Sequence, residues 1–152
     1  ENEDYVEGFR IEAYDIAHMS GRDTVGVMTV VVNGEAQKGS YKRFKISKDA
    51  NNDTAGLKEI LTRRFNHTEW KLPDLIVIDG GIGQINAACE VVKSIPVATV
   101  VKSDAHKPDH FLGNEDMAKK YTKEILLANS EAHRFAIAYH KKVRGRRFLS
   151  KI

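Results

Sequence analysis

The sequence predicts a mixed α/β fold in which helices flank a sheet of antiparallel and parallel strands. Two observations predict it: β-branched runs joined by short turns fill the first third of the chain, and short apolar runs then alternate with segments of helical periodicity. Strand–helix–strand succession favours parallel pairing with right-handed crossovers, so we expect the later strands to be parallel. A length of 152 residues with 41% hydrophobic and 30% charged content corresponds to one domain over residues 1–152.

Three strands are predicted to open the chain as an antiparallel meander. Residues 9–16 form the first strand, which ends near Asp15. A β-branched run over residues 25–32 stops at Asn33-Gly34, and Asn-Gly is a strong hairpin signal because both central positions of a type I′ turn have positive φ. Residues 40–46 alternate apolar and cationic side chains, a pattern typical of a half-exposed third strand.

Helices separate the two remaining strands. Asp53 can cap a first helix with apolar residues at helical spacing, and the fourth strand covers residues 72–79. A turn of three glycines then leads into a second helix, and residues 96–101 form the fifth strand. We expect a loop or a small hairpin within residues 103–120, and a long amphipathic helix from about residue 117 to residue 143.

The resulting order of three strands, helix, strand, helix, strand and helix is that of the ribonuclease H fold. It implies a five-stranded sheet with three antiparallel strands followed by two parallel ones, in which the first strand lies beside the fourth. Asp15 and Asp79 would then be neighbours, because each stands at the end of one of these strands. Two adjacent carboxylates repel unless a hard cation lies between them, and oxygen ligands suit Mg²⁺ or Mn²⁺. The alternative is that each Asp only forms a turn at its strand end.

Histidines supply a third candidate group. His133 falls in the middle of the last helix, one turn before Ile137, and is expected to face or flank the sheet. A hydrogen-bonded core histidine and a functional one both fit this pattern. His18 and His140 also compete for a role, and we expect His140 to face solvent or phosphate because it opens a basic tail.

Composition indicates a cytoplasmic protein and a polyanionic partner. No apolar run approaches the roughly 18 residues of a membrane span, so we expect no membrane association. Residues 141–152 carry six cations and no acid, and subtracting them from the net charge of +3 leaves −3 for residues 1–140. Such a tail fits nucleic acid or a solvated terminus. Cys89, among small apolar residues, is expected in the core and not in a disulfide.

Five segments resemble the C-terminal endonuclease domain of UvrC, the incision subunit of bacterial nucleotide excision repair. They occur in the family's order and cover most of residues 9–144. The segments are YDIAHMSGRDTVG at residues 14–26, YKRF at 41–44, LTRRF at 61–65, PDLIVIDGGIGQINAA at 73–88 and EAHRFA at 131–136.

The resemblance implies a ribonuclease H-like nuclease that makes the 5′ incision at a lesion in double-stranded DNA. It assigns Asp15, Asp79 and His133 as a catalytic set with Mg²⁺ or Mn²⁺, of which His133 is a ligand or an acid–base group. A further family acid corresponds to Asp53, for which a helix cap is the alternative. It also implies a partnership with the UvrB subunit through regions outside this chain. The cations expected to contact DNA phosphates are Arg43, Arg63, Arg64, Lys102, Arg134, Lys141, Lys142 and Arg144.

The chain departs from the family pattern at three places. The turn after Asp79 has Ile82 where the family has Lys, Val101-Lys102-Ser103 replaces Ala-Lys-Gly, and residues 111–120 replace a Leu-Pro-Pro-Asp-Ser segment. The loss of a cation at Ile82 leaves a second hypothesis, a nucleic-acid-binding module without turnover. A third, an enzyme that binds a phosphorylated small molecule at the glycine turn, is weaker because the turn matches neither a P-loop nor the dinucleotide fingerprint.

Overall fold

A computed structural model describes residues 7–18, 24–47, 52–102 and 108–150. Side chains are described throughout these ranges except at 102, 108–112, 143, 144 and 146–150. The strands are β1 (Arg10–His18), β2 (Thr24–Val32), β3 (Glu35–Ala36), β4 (Lys42–Lys45), β5 (Leu75–Asp79), β6 (Val97–Lys102) and β7 (Pro108–Gly113). The helices are α1 (Asp53–Phe65), α2 (Ile82–Val91), α3 (Glu115–Lys120) and α4 (Thr122–Ser150), with a short 3₁₀ turn at Lys38–Ser40.

The strands form one mixed sheet in the order β3-β2-β1-β5-β6-β7, with β4 also paired to β2. β1 is antiparallel to β2 and parallel to β5, and β5 is parallel to β6. This is the predicted ribonuclease H-like sheet, and the predicted adjacency of the first and fourth strands is confirmed. The hairpin that joins β2 to β3 also has the predicted turn, since both central residues have positive φ: Asn33 has φ 50° and Gly34 has φ 83°.

Three predicted elements differ from the structure. The predicted third strand, residues 40–46, corresponds to β4, and an additional two-residue strand, β3, precedes it across the 3₁₀ turn; both pair with β2. The segment expected to be a loop or a small hairpin contains a further strand, β7, which is antiparallel to β6, so the sheet has seven strands where five were predicted. The expected long helix is broken at Tyr121, where φ is −113° and ψ is 29°. Its ring stacks on Phe9 with centroids 3.9 Å apart, which supplies a tertiary contact at the break.

Strand alternation divides the core into two layers. On β1, Ile11 and Ala13 face α4, whereas Tyr14 belongs to the layer that contains α1 and α2. Cys89 was predicted to lie in the core, and this prediction is wrong, because Cys89 is exposed on the outer face of α2. Its neighbours Ala87 and Ala88 point inward instead. Among the described helices, none combines the length and apolar character that a membrane span requires.

A buried ionic cluster ties α1 to β1. Arg64 is completely buried, and its Nε and Nη2 each donate to Glu12 at 2.8 Å. Arg10 Nε donates to the same carboxylate at 2.9 Å, and the Tyr14 hydroxyl donates to it at 2.6 Å. The charge of Glu12 is therefore compensated inside the protein, as buried charges require.

Candidate active site

The two predicted aspartates lie side by side on the central strands. Asp79 ends β5, as predicted, whereas Asp15 lies three residues before the end of β1, which continues to His18. In the register of β1 and β5, Tyr14 pairs with Ile78, and the next residue on each strand is Asp15 or Asp79. Paired strands are roughly 4.8 Å apart, so the two carboxylates start from neighbouring backbone positions. Both share the strand face of Ala13 and Val77, which packs against α4. The sheet thus brings together two acids that are 64 residues apart in sequence.

His133 reaches this pair from α4. The helix lays Ala128, Ala132 and Ala136 against the sheet, and such small side chains allow a close approach. His133 Nδ1 is 3.4 Å from Asp15 Oδ2. The His133 side chain is 57% exposed, which excludes the core-histidine alternative, whereas Asp15 is 17% exposed.

A polar clamp fixes this part of α4. The Tyr41 hydroxyl, just before β4, donates to Glu131 Oε1 at 2.6 Å, and Arg134 Nε donates to Glu131 Oε2 at 2.6 Å. The hydrogen bonds from Arg134 and Tyr41 lower the pKa of Glu131 to about 2. Because Glu131 is two residues before His133, its contact with Tyr41 holds the helix at the level of the site.

The electrostatics of Asp15 indicate an uncompensated negative charge. Burial raises the pKa of Asp15 above its ordinary value, and the charge of Asp79 raises it further, while His133 acts in the opposite direction. A divalent cation beside both carboxylates would remove this repulsion. Within the described residues, no three His, Cys, Asp or Glu side chains form a complete metal cage. The pair fits Mg²⁺ or Mn²⁺ as a two-carboxylate anchor, because Mg²⁺ takes most of its remaining ligands from water and substrate phosphate.

Two cavities open onto the aspartate pair. The larger, about 280 Å³, lies towards α4 and is also lined by His18, His133 and His140. The smaller, about 80 Å³, lies towards α1 and α2 and is also lined by Asp53 and Gln84. His140, expected to face solvent or phosphate, is half-buried in the wall of the larger cavity.

Asp53 does not cap α1 as predicted. The N-cap is Asn52, whose side-chain Oδ1 accepts from the backbone N–H of Ala55 at 2.8 Å. The Asp53 carboxylate instead accepts from or pairs with His18, with Oδ1 and Nε2 2.8 Å apart. Sequence reasoning missed this contact. No sequence signal indicated it, because the first strand was predicted to stop at residue 16, whereas β1 continues to His18.

The turn after β5 exposes the start of α2 beside Asp79. Gly80 has φ +139°, and a Cβ there would lie 2.5 Å from the Gln84 side chain, so glycine is required. Gly81 begins α2 without a side-chain cap, and Ile82 is 65% exposed. Free backbone N–H groups at a helix start are suited to an anion.

The predicted DNA-binding cations fall into separate groups. Arg43 is exposed, and its guanidinium lies 4.8 Å from the ring centroids of both Phe135 and Tyr139. The side chains of Arg63 and Arg134 are 45% and 50% exposed. Lys141 and Lys142 are also exposed, while the side chains of Lys102 and Arg144 lie outside the described residues.

The prediction that Arg64 contacts DNA is wrong. Arg64 has no exposed surface, and its Nε and Nη2 donate to Glu12 and to the backbone carbonyl of Lys71 inside the protein. The Leu61–Phe65 turn of α1 directs Arg63 outward and Arg64 inward, a distinction that two adjacent arginines in a sequence do not reveal.

The fold, with its two neighbouring carboxylates on the central strands β1 and β5, defines a ribonuclease H-like α/β domain. Residues 6–137 match the model of the UvrC RNase H endonuclease domain. The chain is 41% identical over 155 residues to UvrABC system protein C of Caldicellulosiruptor saccharolyticus, covering 94% of this chain and 26% of that protein. It is 42% identical over 169 residues to UvrABC system protein C of Clostridium botulinum strain Loch Maree, covering 92% of this chain and 27% of that protein. The chain therefore belongs to the UvrC RNase H endonuclease domain family, and it spans about a quarter of the length of these relatives.

Among solved structures, human ENDOV has a TM-score of 0.48 and 14% identity, covering 62% of this chain and 46% of that chain.

Proposed function

We propose that the chain is a divalent-metal-dependent DNA endonuclease domain that hydrolyses a phosphodiester to make the 5′ incision in nucleotide excision repair. The observation that carries the proposal is the neighbouring position of Asp15 and Asp79 on adjacent parallel strands, with His133 Nδ1 3.4 Å from Asp15. Family membership and the names of the relatives support the repair role. The substrate is damaged double-stranded DNA, and the UvrB subunit is a partner through regions outside this chain.

Asp15 and Asp79 would hold Mg²⁺ or Mn²⁺. When bound, the metal supplies a Lewis acid that polarises a phosphoryl oxygen and makes a bound water more acidic. Burial and then the charge of Asp79 raise the pKa of Asp15, which supports this assignment because a positive charge between the two carboxylates would relieve both effects.

His133 would serve the reacting phosphate as an acid–base group. Its Nδ1 is directed at Asp15, so Nε2 is the ring nitrogen left for substrate. A carboxylate that orients one nitrogen of an imidazole sets the other for proton transfer. Direct ligation of the metal by His133 is the alternative role. The two differ in outcome, since His133→Ala would lower turnover far more than DNA affinity in the first case and would also weaken metal binding in the second.

DNA would be bound through its backbone. Arg43, Arg63, Lys141 and Lys142 are exposed cations, and the uncapped start of α2 lies beside Asp79. Contacts of this kind fix a duplex without reading its sequence, and they weaken as salt increases. This fits an enzyme directed by damage and not by base sequence.

The central test replaces Asp79 with Asn. We expect Asp79→Asn to abolish Mg²⁺- or Mn²⁺-dependent nicking of lesion-bearing duplex DNA, with an unchanged circular dichroism spectrum, because an amide is a poorer metal ligand than a carboxylate. Asp116→Asn is the matched control, since Asp116 is exposed on α3, which follows the end of β7 beside the start of β6, away from Asp79. Nicking by Asp79→Asn at the wild-type rate would overturn the site assignment.

A nucleic-acid-binding domain without turnover is the second candidate. Ile82 favours it, because this exposed apolar side chain occupies the start of α2 where a cation could contact a phosphate. Salt-dependent DNA binding with no cleavage under either metal would support this candidate.

A further inference from the structure

We propose that His18 is a positioning residue for Asp53, the further acid that the family resemblance implies, and that it directs this carboxylate towards water bound at the Asp15–Asp79 site. The inference rests on the proposed function, and it adds a role for a histidine that neither the sequence pattern nor the aspartate pair assigns. The juxtaposition that carries it is the 2.8 Å contact between His18 Nε2 and Asp53 Oδ1 beside the aspartate pair.

Both ring nitrogens of His18 are engaged. Nε2 contacts Asp53, and Nδ1 lies 3.3 Å from Thr24 Oγ1. Thr24 is also the residue opposite His18 in the β1–β2 ladder, so the backbone that orients the ring is itself held by the sheet. A carboxylate oxygen accepts hydrogen bonds, so Nε2 donates to Asp53, and Nδ1 of a neutral ring is left to accept from the Thr24 hydroxyl.

The pair spans the end of β1 between the two cavities. His18 lines the larger cavity, Asp53 lines the smaller one, and Asp15 and Asp79 line both. With Oδ1 engaged by His18, Asp53 retains Oδ2 for the cavity that it shares with the aspartate pair. A hydrogen bond to one oxygen of a carboxylate is a common way to orient it towards a metal or its bound water.

Stability does not account for this contact. The side chains of His18 and Asp53 are 61% and 53% exposed, and exposed ion pairs contribute little to folding. Asp53 also lies in the first turn of α1, where the helix dipole favours a carboxylate whether or not His18 contacts it. Asn52, and not Asp53, satisfies the backbone at the helix start. The position of His18 and Asp53 beside the aspartate pair therefore points to a role of their contact at the site and not in folding.

The test compares His18→Ala, His18→Gln, Asp53→Ala and the double variant His18→Ala/Asp53→Ala with the wild-type chain. Two quantities are measured: Mn²⁺ affinity, from the electron paramagnetic resonance signal of free Mn²⁺, and the kcat and KM of Mn²⁺-dependent nicking. We expect His18→Ala to weaken Mn²⁺ binding and lower kcat by roughly 10- to 100-fold with KM for DNA unchanged, as is typical of residues that orient metal ligands. His18→Gln should recover part of the loss, because its amide N–H can replace Nε2–H.

Coupling between the two residues decides the assignment. If His18 acts through Asp53, the double variant is no worse than Asp53→Ala. Glu69→Gln is the control, because it breaks another exposed histidine–carboxylate contact, His67 to Glu69 at 2.6 Å, away from the site. Wild-type behaviour of His18→Ala, or additive losses, would overturn the His18 proposal alone. Failure of the wild-type chain to bind Mn²⁺ and to nick DNA would overturn the proposed function and this inference with it.

Discussion

Asp15 and Asp79 carry an electrostatic cost that the rest of the protein tolerates. The pKa of Asp15 is raised by its burial and by the charge of Asp79. A carboxyl whose pKa is higher in the folded than in the unfolded state stabilises the fold below its unfolded pKa, and this contribution is lost as pH rises through the folded pKa. Ionisation of Asp15 at neutral pH therefore opposes folding, as is common where binding sites are built at the expense of stability.

Neutralising Asp79 should consequently stabilise the protein. We expect Asp79→Asn to melt at a higher temperature than wild type at pH 7, because Asp15 then ionises without a charged neighbour. The difference should shrink as pH falls below the ordinary pKa of an Asp carboxyl, about 3.9, because a protonated Asp15 no longer repels its neighbour. Thermal melts across this pH range check the prediction. Asp116→Asn should show no such gain, and a lower melting temperature for Asp79→Asn at pH 7 would contradict it.

Within the candidate site, the sequence predicted the positions of those residues that lie on strands, because the strand pattern determines where they stand in the sheet. Asp79 ends an apolar strand and Asp15 lies near the end of another, so the strand order alone made them neighbours. The contact of His18 with Asp53 depends on side-chain directions at the start of α1, and Asn52 and Asp53 are equally good caps by sequence. Sequence therefore identified Asp53 as a candidate but assigned it the wrong local role.

At the scale of elements, the sheet order was predictable and its interruptions were not. β5 and β6 are short apolar runs between helices, a pattern that indicates parallel central strands. The additional strand β3 is separated from the predicted third strand by the 3₁₀ turn at Lys38–Ser40, which has no distinctive residue pattern. β7 pairs at the sheet edge with β6, and the break at Tyr121 coincides with a ring contact to Phe9. These features depend on tertiary contacts that local propensity does not contain.

Two adjacent arginines of α1 have different roles where this helix packs on β1. Arg64 is buried against Glu12, and Arg63 is exposed near Lys45 and Glu59. We expect Arg64→Met to lower the free energy of unfolding by about 3–5 kcal/mol, because Glu12 loses its main partner inside the core. Arg63→Met should cost about 1 kcal/mol or less, since surface substitutions have small effects. Urea denaturation at pH 7 measures both.

DNA binding should show the reverse order for the same two variants. Arg63→Met should weaken binding and reduce its salt dependence, whereas folded Arg64→Met should bind DNA as wild type does. A fluorescence-anisotropy titration at several salt concentrations distinguishes them. Weaker binding by Arg64→Met at a temperature where it is fully folded would restore Arg64 as a phosphate contact.

The whole molecule combines an acidic body with a basic end. Residues 1–140 have a formal charge of −3, and the last twelve residues contribute six cations. Those cations begin at Lys141, directly after His140, which lines the larger cavity of the site. Because α4 runs from the clamp at Glu131 through His133 to Lys141, one helix connects the aspartate pair with the start of the basic region. A polyanion bound there would be directed towards the site.

Removing charge from this helix should therefore weaken DNA binding in a way that depends on position. We expect Lys141→Ala/Lys142→Ala to reduce the slope of log affinity against log salt concentration by roughly 1.8, since each phosphate contact contributes about 0.9 on duplex DNA. The loss should be equal for unrelated DNA sequences, because backbone contacts carry no base information.

Lys119→Ala/Lys120→Ala provides the matched comparison. It removes the same charge from an adjacent, exposed lysine pair at the end of α3. This pair is next to Tyr121, which stacks on Phe9. Phe9 directly precedes β1, so the pair lies near the start of this strand and not near Asp15. If binding responds to net charge alone, both double variants lose the same slope. If DNA lies along α4 as the position of the site requires, only the Lys141/Lys142 variant changes the slope, and equal losses would contradict that path.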